Sequence, residues 1–198
     1  MSSGHSYKVI AFNGSPNPEG STTAMIEMLF NDLKKENVQC EMIMVGTASC
    51  VRGCDGCNKC SGTGHCARAK EGDPIDSWYA KMKEADVIVL ASPTHCAGVS
   101  TEMKSLIDRC GWMSSVDGDP LKNKIGIALV TAMGSGTMGA FNQIHQFFAV
   151  NGIHIVSSAS WCEAFGSSAS AIKKDEDWAS TSKTLVENMM FLLQKLHA

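Results

Sequence analysis

The sequence lacks several features that would assign it to a membrane or to a nucleic acid. It contains no apolar run near the roughly 20 residues that a membrane-spanning helix requires. Lysine and arginine number 17 and aspartate and glutamate number 20, so there is no basic excess for binding nucleic acid or an anionic membrane. The first residues contain no apolar segment of the signal-peptide kind. We therefore expect a cytoplasmic protein with neither a membrane nor a nucleic acid as its partner.

Internal repeats, low-complexity tracts and linkers between domains are also missing from the 198 residues. A chain of this length is ample for one α/β domain with a hydrophobic core and is short for two. We therefore predict a single domain over residues 1–198.

Five apolar segments alternate with helical patterns, at residues 9–12, 40–45, 86–91, 124–130 and 153–156. The third is apolar without interruption after Asp86, as expected of a strand buried on both faces. The second alternates only loosely, which favours the edge of a sheet. Alternating strands and helices predict a three-layer, doubly wound parallel sheet of α/β class. The commonest five-stranded order is 2-1-3-4-5, in which ligands bind beyond the carboxyl ends of the strands.

The loop after the first predicted strand has the composition of an anion site. Residues 13–23 read Asn-Gly-Ser-Pro-Asn-Pro-Glu-Gly-Ser-Thr-Thr, and a helical pattern follows. A strand, such a loop and a helix direct backbone N–H groups at one point, where phosphate binds. The loop has no lysine, which the triphosphate-binding P-loop requires. The pattern favours a single terminal phosphate, and an ordinary turn that caps a helix is the alternative.

Two more loops of small polar residues follow the third and fourth predicted strands, at residues 92–100 and 131–139. Strands one, three and four are neighbours in the predicted order, so the three loops should form the walls of one crevice. The last loop matches the pattern Gly-x-Gly-x-x-Gly, but no acidic residue ends the next strand to bind a ribose. We interpret its glycines as permitting close approach to a planar ring.

Five of the nine cysteines lie between residues 50 and 66. Two successive C-x2-C steps, formed by Cys54, Cys57 and Cys60, let a short loop give three thiolates to a cubane cluster, and Cys66 can give the fourth. Zinc held by four thiolates is one alternative, and free or redox-active thiols are another. Cys50, just upstream, leaves the set of ligands open.

The cysteine-rich loop covers about residues 46–74 and has no hydrophobic period. It follows the second predicted strand, which should lie beside the first. We therefore expect its thiols at the same edge of the sheet as the phosphate-binding loop. The remaining cysteines that interrupt apolar patterns, Cys40, Cys110 and Cys162, are predicted to be buried as small apolar residues.

Together these motifs resemble the NADPH-dependent FMN reductase family of flavodoxin-like proteins, and within it the iron–sulfur flavoproteins. The resemblance extends from residue 8 to about residue 152. It is carried by the loop at residues 13–23, Ser92-Pro93-Thr94, Val99-Ser100, Lys104, Asp108-Arg109 and the spacing of Cys54, Cys57, Cys60 and Cys66. It implies one flavodoxin-like FMN-binding domain.

The resemblance also implies the cofactors and their positions. The FMN phosphate is expected on Ser15, Asn17, Ser21, Thr22 and Thr23. The flavin ring is expected against Pro93, Thr94, His95, Cys96, Ala97, Gly98, Thr131, Gly134, Ser135 and Gly136. A [4Fe–4S] cluster is expected on Cys54, Cys57, Cys60 and Cys66, with Cys50 as a possible substitute.

The implied activity is NAD(P)H-dependent reduction of a flavin, a quinone or a similar acceptor. The flavin performs the chemistry, so no protein acid or base is assigned a catalytic role. A non-enzymatic electron carrier is the alternative, as is a flavin reductase whose cysteine loop holds zinc or senses redox state. The resemblance further implies a homodimer or homotetramer in which the cluster of one subunit approaches the flavin of another, with small molecules or proteins as redox partners.

Overall fold

The computed structural model describes residues 6–197. The strands are β1 (Tyr7–Asn13), β2 (Val38–Met44), β3 (Val87–Pro93), β4 (Ile125–Ala132), β5 (His154–Ile155) and β6 (Glu163–Phe165). The helices are α1 (Ser21–Leu33), α2 (Ile75–Glu84), α3 (Thr101–Val116), α4 (Thr137–Val150), α5 (Ala169–Ile172) and α6 (Glu176–Leu196).

The strands form one parallel sheet in the order β2-β1-β3-β4-β5, which confirms the predicted order. The side chains of β3 and β4 are almost entirely buried, because helices cover both faces of the sheet. β2 lies at the edge and is half-exposed. The central position of β1, β3 and β4 brings the three loops that follow them together at one edge of the sheet.

The fifth strand differs from the prediction at residues 153–156. β5 has only two residues and pairs with the start of β4, whereas β6 pairs with the end of β4. The two short strands thus share one side of β4 and are interrupted by residues 156–162. β6 escaped prediction because three residues are too few to show a period. Its position brings Gly166 and Ser167 to the carboxyl edge of the sheet.

The helices form two layers. α1 packs with α5 and α6, and α3 packs between α2 and α4. Ser100 is the N-cap of α3, as predicted, and its Oγ accepts a hydrogen bond from the backbone N–H of Met103 at 3.3 Å. No helix within residues 6–197 combines the length and the apolar character needed to span a bilayer.

Two of the three predicted core cysteines are buried. Burial raises the pKa of the Cys162 thiol to about 12 and also raises that of Cys110, so neither is a ready nucleophile. The prediction for Cys40 is wrong: its thiol is exposed, because the edge strand β2 has solvent on one side.

Candidate functional site

A crevice opens beyond the carboxyl ends of β1, β3, β4 and β6. Its volume is about 750 Å3, counted with the open solvent at its mouth, which suits a small-molecule ligand. It is lined by Ser15, Pro16, Asn17, Gly20, Ser21, Thr22, Pro93, Thr94, His95, Thr131, Ala132, Met133, Gly166 and Ser167. None of these lining residues is a lysine or an arginine, so an anion there depends on N–H and hydroxyl donors.

The buried Asn13 organises the loop that leaves β1. Its Oδ1 accepts a hydrogen bond from the backbone N–H of Ser15 at 2.9 Å, and its Nδ2 donates to Thr23 Oγ1 at 2.8 Å. The amide therefore joins the end of the strand to both the loop and α1. Thr23 is used in this contact and does not line the crevice, so it lies away from the predicted phosphate position.

The first turn of α1 is open to a ligand. The N-cap is Gly20, so no side chain caps the first N–H groups of α1, and the first turn carries no acidic residue. The first N–H groups of a helix have no partners within the helix and attract an anion. Ser21 and Thr22 of this turn line the crevice, so its backbone donors are available at the end that the sequence assigned to phosphate.

Two hydroxyl contacts join the loops around the crevice. Ser21 Oγ donates to the carbonyl oxygen of Gly166 at 2.9 Å, and the Oγ1 atoms of Thr22 and Thr131 lie 2.8 Å apart. Thr94 Oγ1 is buried without a hydrogen-bond partner among the described residues. An unpaired hydroxyl in the wall can serve a ligand, because burying it unpaired costs free energy.

The turn after β3 is tight and strained. The backbone groups of His95 and Gly98 exchange two hydrogen bonds of 2.9 Å, and Cys96 and Ala97 have φ values of 47° and 61°. Such left-handed conformations are uncommon for residues with a Cβ and occur at functional sites. Gln143 on α4 supports the turn, since its Oε1 accepts from the N–H of Val99 at 3.1 Å.

The structure brings some of the predicted ring-binding residues into the crevice and leaves others outside. Pro93, Thr94, His95 and Thr131 line it, whereas Cys96, Ala97, Gly98, Gly134, Ser135 and Gly136 do not. Gly139 serves packing: a Cβ there would lie 1.8 Å from the carbonyl oxygen of Ala97. Gly139 lets α4 approach the turn at residues 95–98. The close contact that this glycine permits is therefore with the protein backbone and not with a planar ring.

Six lining residues were missed by sequence reasoning: Pro16, Gly20, Ala132, Met133, Gly166 and Ser167. The first four lie within loops already singled out. Gly166 and Ser167 follow β6, and the run Gly166-Ser167-Ser168 was the available signal for a fourth wall.

The clustered cysteines line a separate pocket. Cys54, Cys57, Cys60 and Cys66 all contribute to it, and Arg109, Trp112 and Met113 of α3 form its opposite wall. These three α3 residues lie on one helical face, at i, i+3 and i+4. Cys50 does not line the pocket; its sulfur lies 3.8 Å from where a Cβ at Gly72 would be.

The thiol pocket lies along α3 and is separate from the crevice. The cysteine loop leaves β2 near the crevice but runs along α3, and the N–H of Gly62 donates to the carbonyl of Val116 at 2.8 Å. Val116 ends α3, at the opposite edge of the sheet from the crevice. The two sites share no lining residue. The thiols therefore do not open into the crevice, and the long loop that carries them is anchored on α3.

A buried ion pair holds the loop against α3. Arg109 Nη1 lies 2.6 Å from Asp73 Oδ2, and their side chains are 2% and 1% exposed. The same nitrogen donates to the carbonyl of Arg52 at 3.3 Å, while Nη2 is buried without a hydrogen-bond partner. Burial alone lowers the pKa of Arg109, but neighbouring Cys66 and Asp73 outweigh it and raise this pKa.

The sulfurs have polar surroundings but do not converge on one point. The N–H of Gly56 donates to Cys54 Sγ at 3.4 Å, and burial raises the pKa of the Cys60 thiol. Within residues 6–197, no three His, Cys, Asp or Glu side chains are grouped closely enough for a single metal ion. In a cubane cluster the four thiolates bind different iron atoms, which suits thiols spread around a pocket.

Comparison with known proteins agrees with this architecture. The pattern of the NADPH-dependent FMN reductase family matches residues 7–167. An iron–sulfur flavoprotein of Methanocaldococcus jannaschii is 36% identical over 151 residues, which cover 75% of each chain.

Two solved structures share the fold. RosB, with bound 8-demethyl-8-formylriboflavin-5'-phosphate, has a TM-score of 0.75 at 17% identity, over 96% of this chain and 80% of RosB. A WrbA-like flavodoxin from Agrobacterium tumefaciens has a TM-score of 0.61 at 13% identity, over 96% and 99% of the two chains. Fold, crevice and sequence pattern lead to one assignment: the chain belongs to the NADPH-dependent FMN reductase family.

Proposed function

We propose that the protein is an FMN-dependent oxidoreductase that takes electrons from NAD(P)H and delivers them to a flavin, a quinone or a similar acceptor. We further propose that a [4Fe–4S] cluster relays electrons to or from its flavin. One observation carries the proposal: a lysine-free anion crevice and a pocket of four thiols occur in the same domain.

The residues of the crevice fit FMN. The N–H groups at the start of α1 and the hydroxyls of Ser15 and Ser21 would hold the phosphate, and the walls at residues 93–95 and 131–133 would contact the ring. Bound FMN supplies hydride and single-electron chemistry. The unpaired Thr94 Oγ1 is available to a polar edge of the ring. The only imidazole or carboxylate among the described lining residues is that of His95, so the protein mainly orients the flavin and shields it from water.

The thiol pocket fits an iron–sulfur cluster, by the chemistry of its donors. Four thiols surround it, a backbone N–H reaches one sulfur, and a buried guanidinium lies in the wall. Positive charge and N–H donors stabilise an anionic group bound through sulfur. Cys50 lies outside the pocket, which favours Cys54, Cys57, Cys60 and Cys66 as the ligands. The similarity to an iron–sulfur flavoprotein supports the same assignment.

Protein purified anaerobically tests both halves of the proposal. We expect a flavin spectrum from one FMN per chain, together with four iron and four acid-labile sulfide per chain. Flavin without iron or sulfide would reject the cluster, and about one zinc per chain would replace it with a structural zinc site. Failure to bind FMN after reconstitution would reject the proposal as a whole.

Steady-state kinetics separate the enzyme from an electron carrier. Anaerobic oxidation of NADPH and of NADH is compared, with a quinone or free flavin as acceptor. Multiple turnovers with either nucleotide support the reductase. If only a reduced ferredoxin-type protein reduces the flavin, the protein is an electron carrier instead.

A further inference from the structure

We propose that Arg109 is the positioning residue of the thiol pocket, with its Nη2 group donating to the sulfur of Cys66 and its positive charge raising the reduction potential of what the thiols bind. The inference rests on the proposed cluster and deepens it, because it assigns control of potential to one side chain on α3.

The two terminal nitrogens of the Arg109 guanidinium differ: one is hydrogen-bonded and, within residues 6–197, the other is not. Nη1 is committed to Asp73 Oδ2 at 2.6 Å and to the carbonyl of Arg52 at 3.3 Å. Nη2 is buried, has no hydrogen-bond partner among the described residues, and belongs to a side chain that lines the pocket. A charged donor buried unpaired is costly, so an acceptor at this position would be strongly stabilising. Cys66 lines the same pocket, so its sulfur is a candidate acceptor for Nη2.

Cys66 and Asp73, the partner of Arg109, are both fixed to the start of α2. Its backbone N–H donates to Asp76 Oδ1 at 2.8 Å, which fixes the main chain to α2. Asp73 accepts a hydrogen bond from the N–H of Ile75 at 3.1 Å, so the carboxylate that orients Arg109 is itself fixed at the start of α2. Arg109 thus has a preset orientation, with Nη1 bound to the anchor and Nη2 left for an acceptor in the pocket.

Replacing Arg109 and replacing Asp73 should shift the reduction potential in opposite directions. Reduction of a cluster adds negative charge, and a nearby cation favours that state. Replacing Arg109 with glutamine removes the cation and should make the potential more negative. Replacing Asp73 with asparagine removes the anion, leaves the cation uncompensated and should make the potential more positive. If Arg109 merely anchored the loop, both changes would loosen the same contact and shift the potential in the same direction.

The experiment compares wild type, R109Q, R109K and D73N as FMN-loaded, iron-loaded proteins. The reduction potential of the cluster is measured by redox titration followed by electron paramagnetic resonance, with iron and sulfide per chain as the control for occupancy. We expect a more negative potential in R109Q and a more positive one in D73N. In R109K we expect a smaller shift, because lysine keeps the positive charge but lacks the two terminal guanidinium nitrogens. We also expect R109K and R109Q to alter the resonance line shape, since neither keeps the guanidinium Nη2 that is proposed to donate to Cys66.

Each result decides the inference. Potentials of R109Q and D73N that shift together, or not at all, would overturn it. Should R109Q fail to retain iron, the comparison of D73N and R109K decides: a positive shift in D73N supports the inference, and a negative or absent shift rejects it. If wild type itself holds no iron, the proposed cluster fails, and the role of Arg109 fails with it. That outcome is distinct from an iron-loaded wild type whose potential is insensitive to Arg109.

Discussion

At the scale of single residues, Ser21 gives a direct test of the phosphate position. It begins α1, lines the crevice and donates from Oγ to the carbonyl of Gly166. An aspartate at this position would place a negative charge beside the phosphate. A unit charge repels another about 5 Å away by roughly 3 kcal/mol at an effective dielectric constant of 20. We expect Ser21→Asp to raise the Kd of FMN by about tenfold or more, as measured by fluorescence titration.

Two controls make this result specific to phosphate. Riboflavin lacks the phosphate, so its Kd should change little in Ser21→Asp. Ser21→Asn also removes the hydroxyl but adds no charge, so it should weaken FMN binding much less than Ser21→Asp does. The free energy of unfolding should also change little, because the lost hydrogen bond costs about 0.5–1.5 kcal/mol and the charge at the helix N-terminus returns about 0.3–1 kcal/mol. Equal weakening of FMN and riboflavin would place the phosphate elsewhere.

Residue type alone could not separate ligand contacts from internal ones. Ser21 and Thr23 are both hydroxyl residues in the same loop, yet the first lines the crevice and the second accepts from buried Asn13. Likewise, Gly139 looked available to a ring but is required for contact between α4 and Ala97. Such distinctions depend on side-chain direction and on partners distant in sequence, such as Thr131 for Thr22.

At the scale of elements, the cysteine-rich loop has little structure of its own. Residues 46–74 contain no helix or strand, and their anchors include the Arg109–Asp73 pair and the hydrogen bond from Trp112 Nε1 to Asn58 Oδ1 at 3.2 Å. Lys59 and Arg68 within the loop are exposed. Segments with few buried contacts open locally and are cut by proteases when open.

We therefore expect trypsin to cut the iron-free protein first after Lys59 or Arg68. In the iron-loaded protein these cuts should be at least about tenfold slower, because about 1.4 kcal/mol of local stabilisation lowers the open population tenfold. Mass spectrometry of timed digests locates the cuts. Lys183, which is exposed on the long helix α6, is the control and should remain uncut in both forms. Equal protection of the loop with and without iron would contradict a metal-dependent loop.

The elements themselves were largely predictable, because their signals are local. Continuous apolar residues identified β3, a 3.6-residue period identified α3, and Ser100 marked its start. β6 and α5 have three and four residues, which leaves no period to detect. The course of the cysteine loop was also beyond the sequence, because it depends on a pair between Asp73 and Arg109 that are far apart along the chain.

At the scale of the whole molecule, large apolar side chains gather near the mouth of the crevice. Met133, Met138, Trp161 and Phe165 are all exposed, and they follow or flank the strands whose ends form the crevice. Methionine and aromatic residues are enriched in the cores of protein interfaces, and a patch of them on a surface marks an interaction site. We therefore propose this surface as a contact between subunits of the expected homodimer or homotetramer.

Substitution of Trp161 tests that contact. Its side chain is 61% exposed, and its ring rests edge-on against Phe141 at a centroid distance of 6.2 Å, so a glutamate there should disturb the surface more than the core. We expect wild type to be a dimer or tetramer by sedimentation velocity, and Trp161→Glu to dissociate at least about tenfold more readily, because burying a charge in an interface is costly. Phe191→Glu is the matched control, since Phe191 is 63% exposed on α6, and it should leave assembly unchanged. A monomeric wild type would refute the oligomer, and dissociation by Phe191→Glu alone would move the interface to α6.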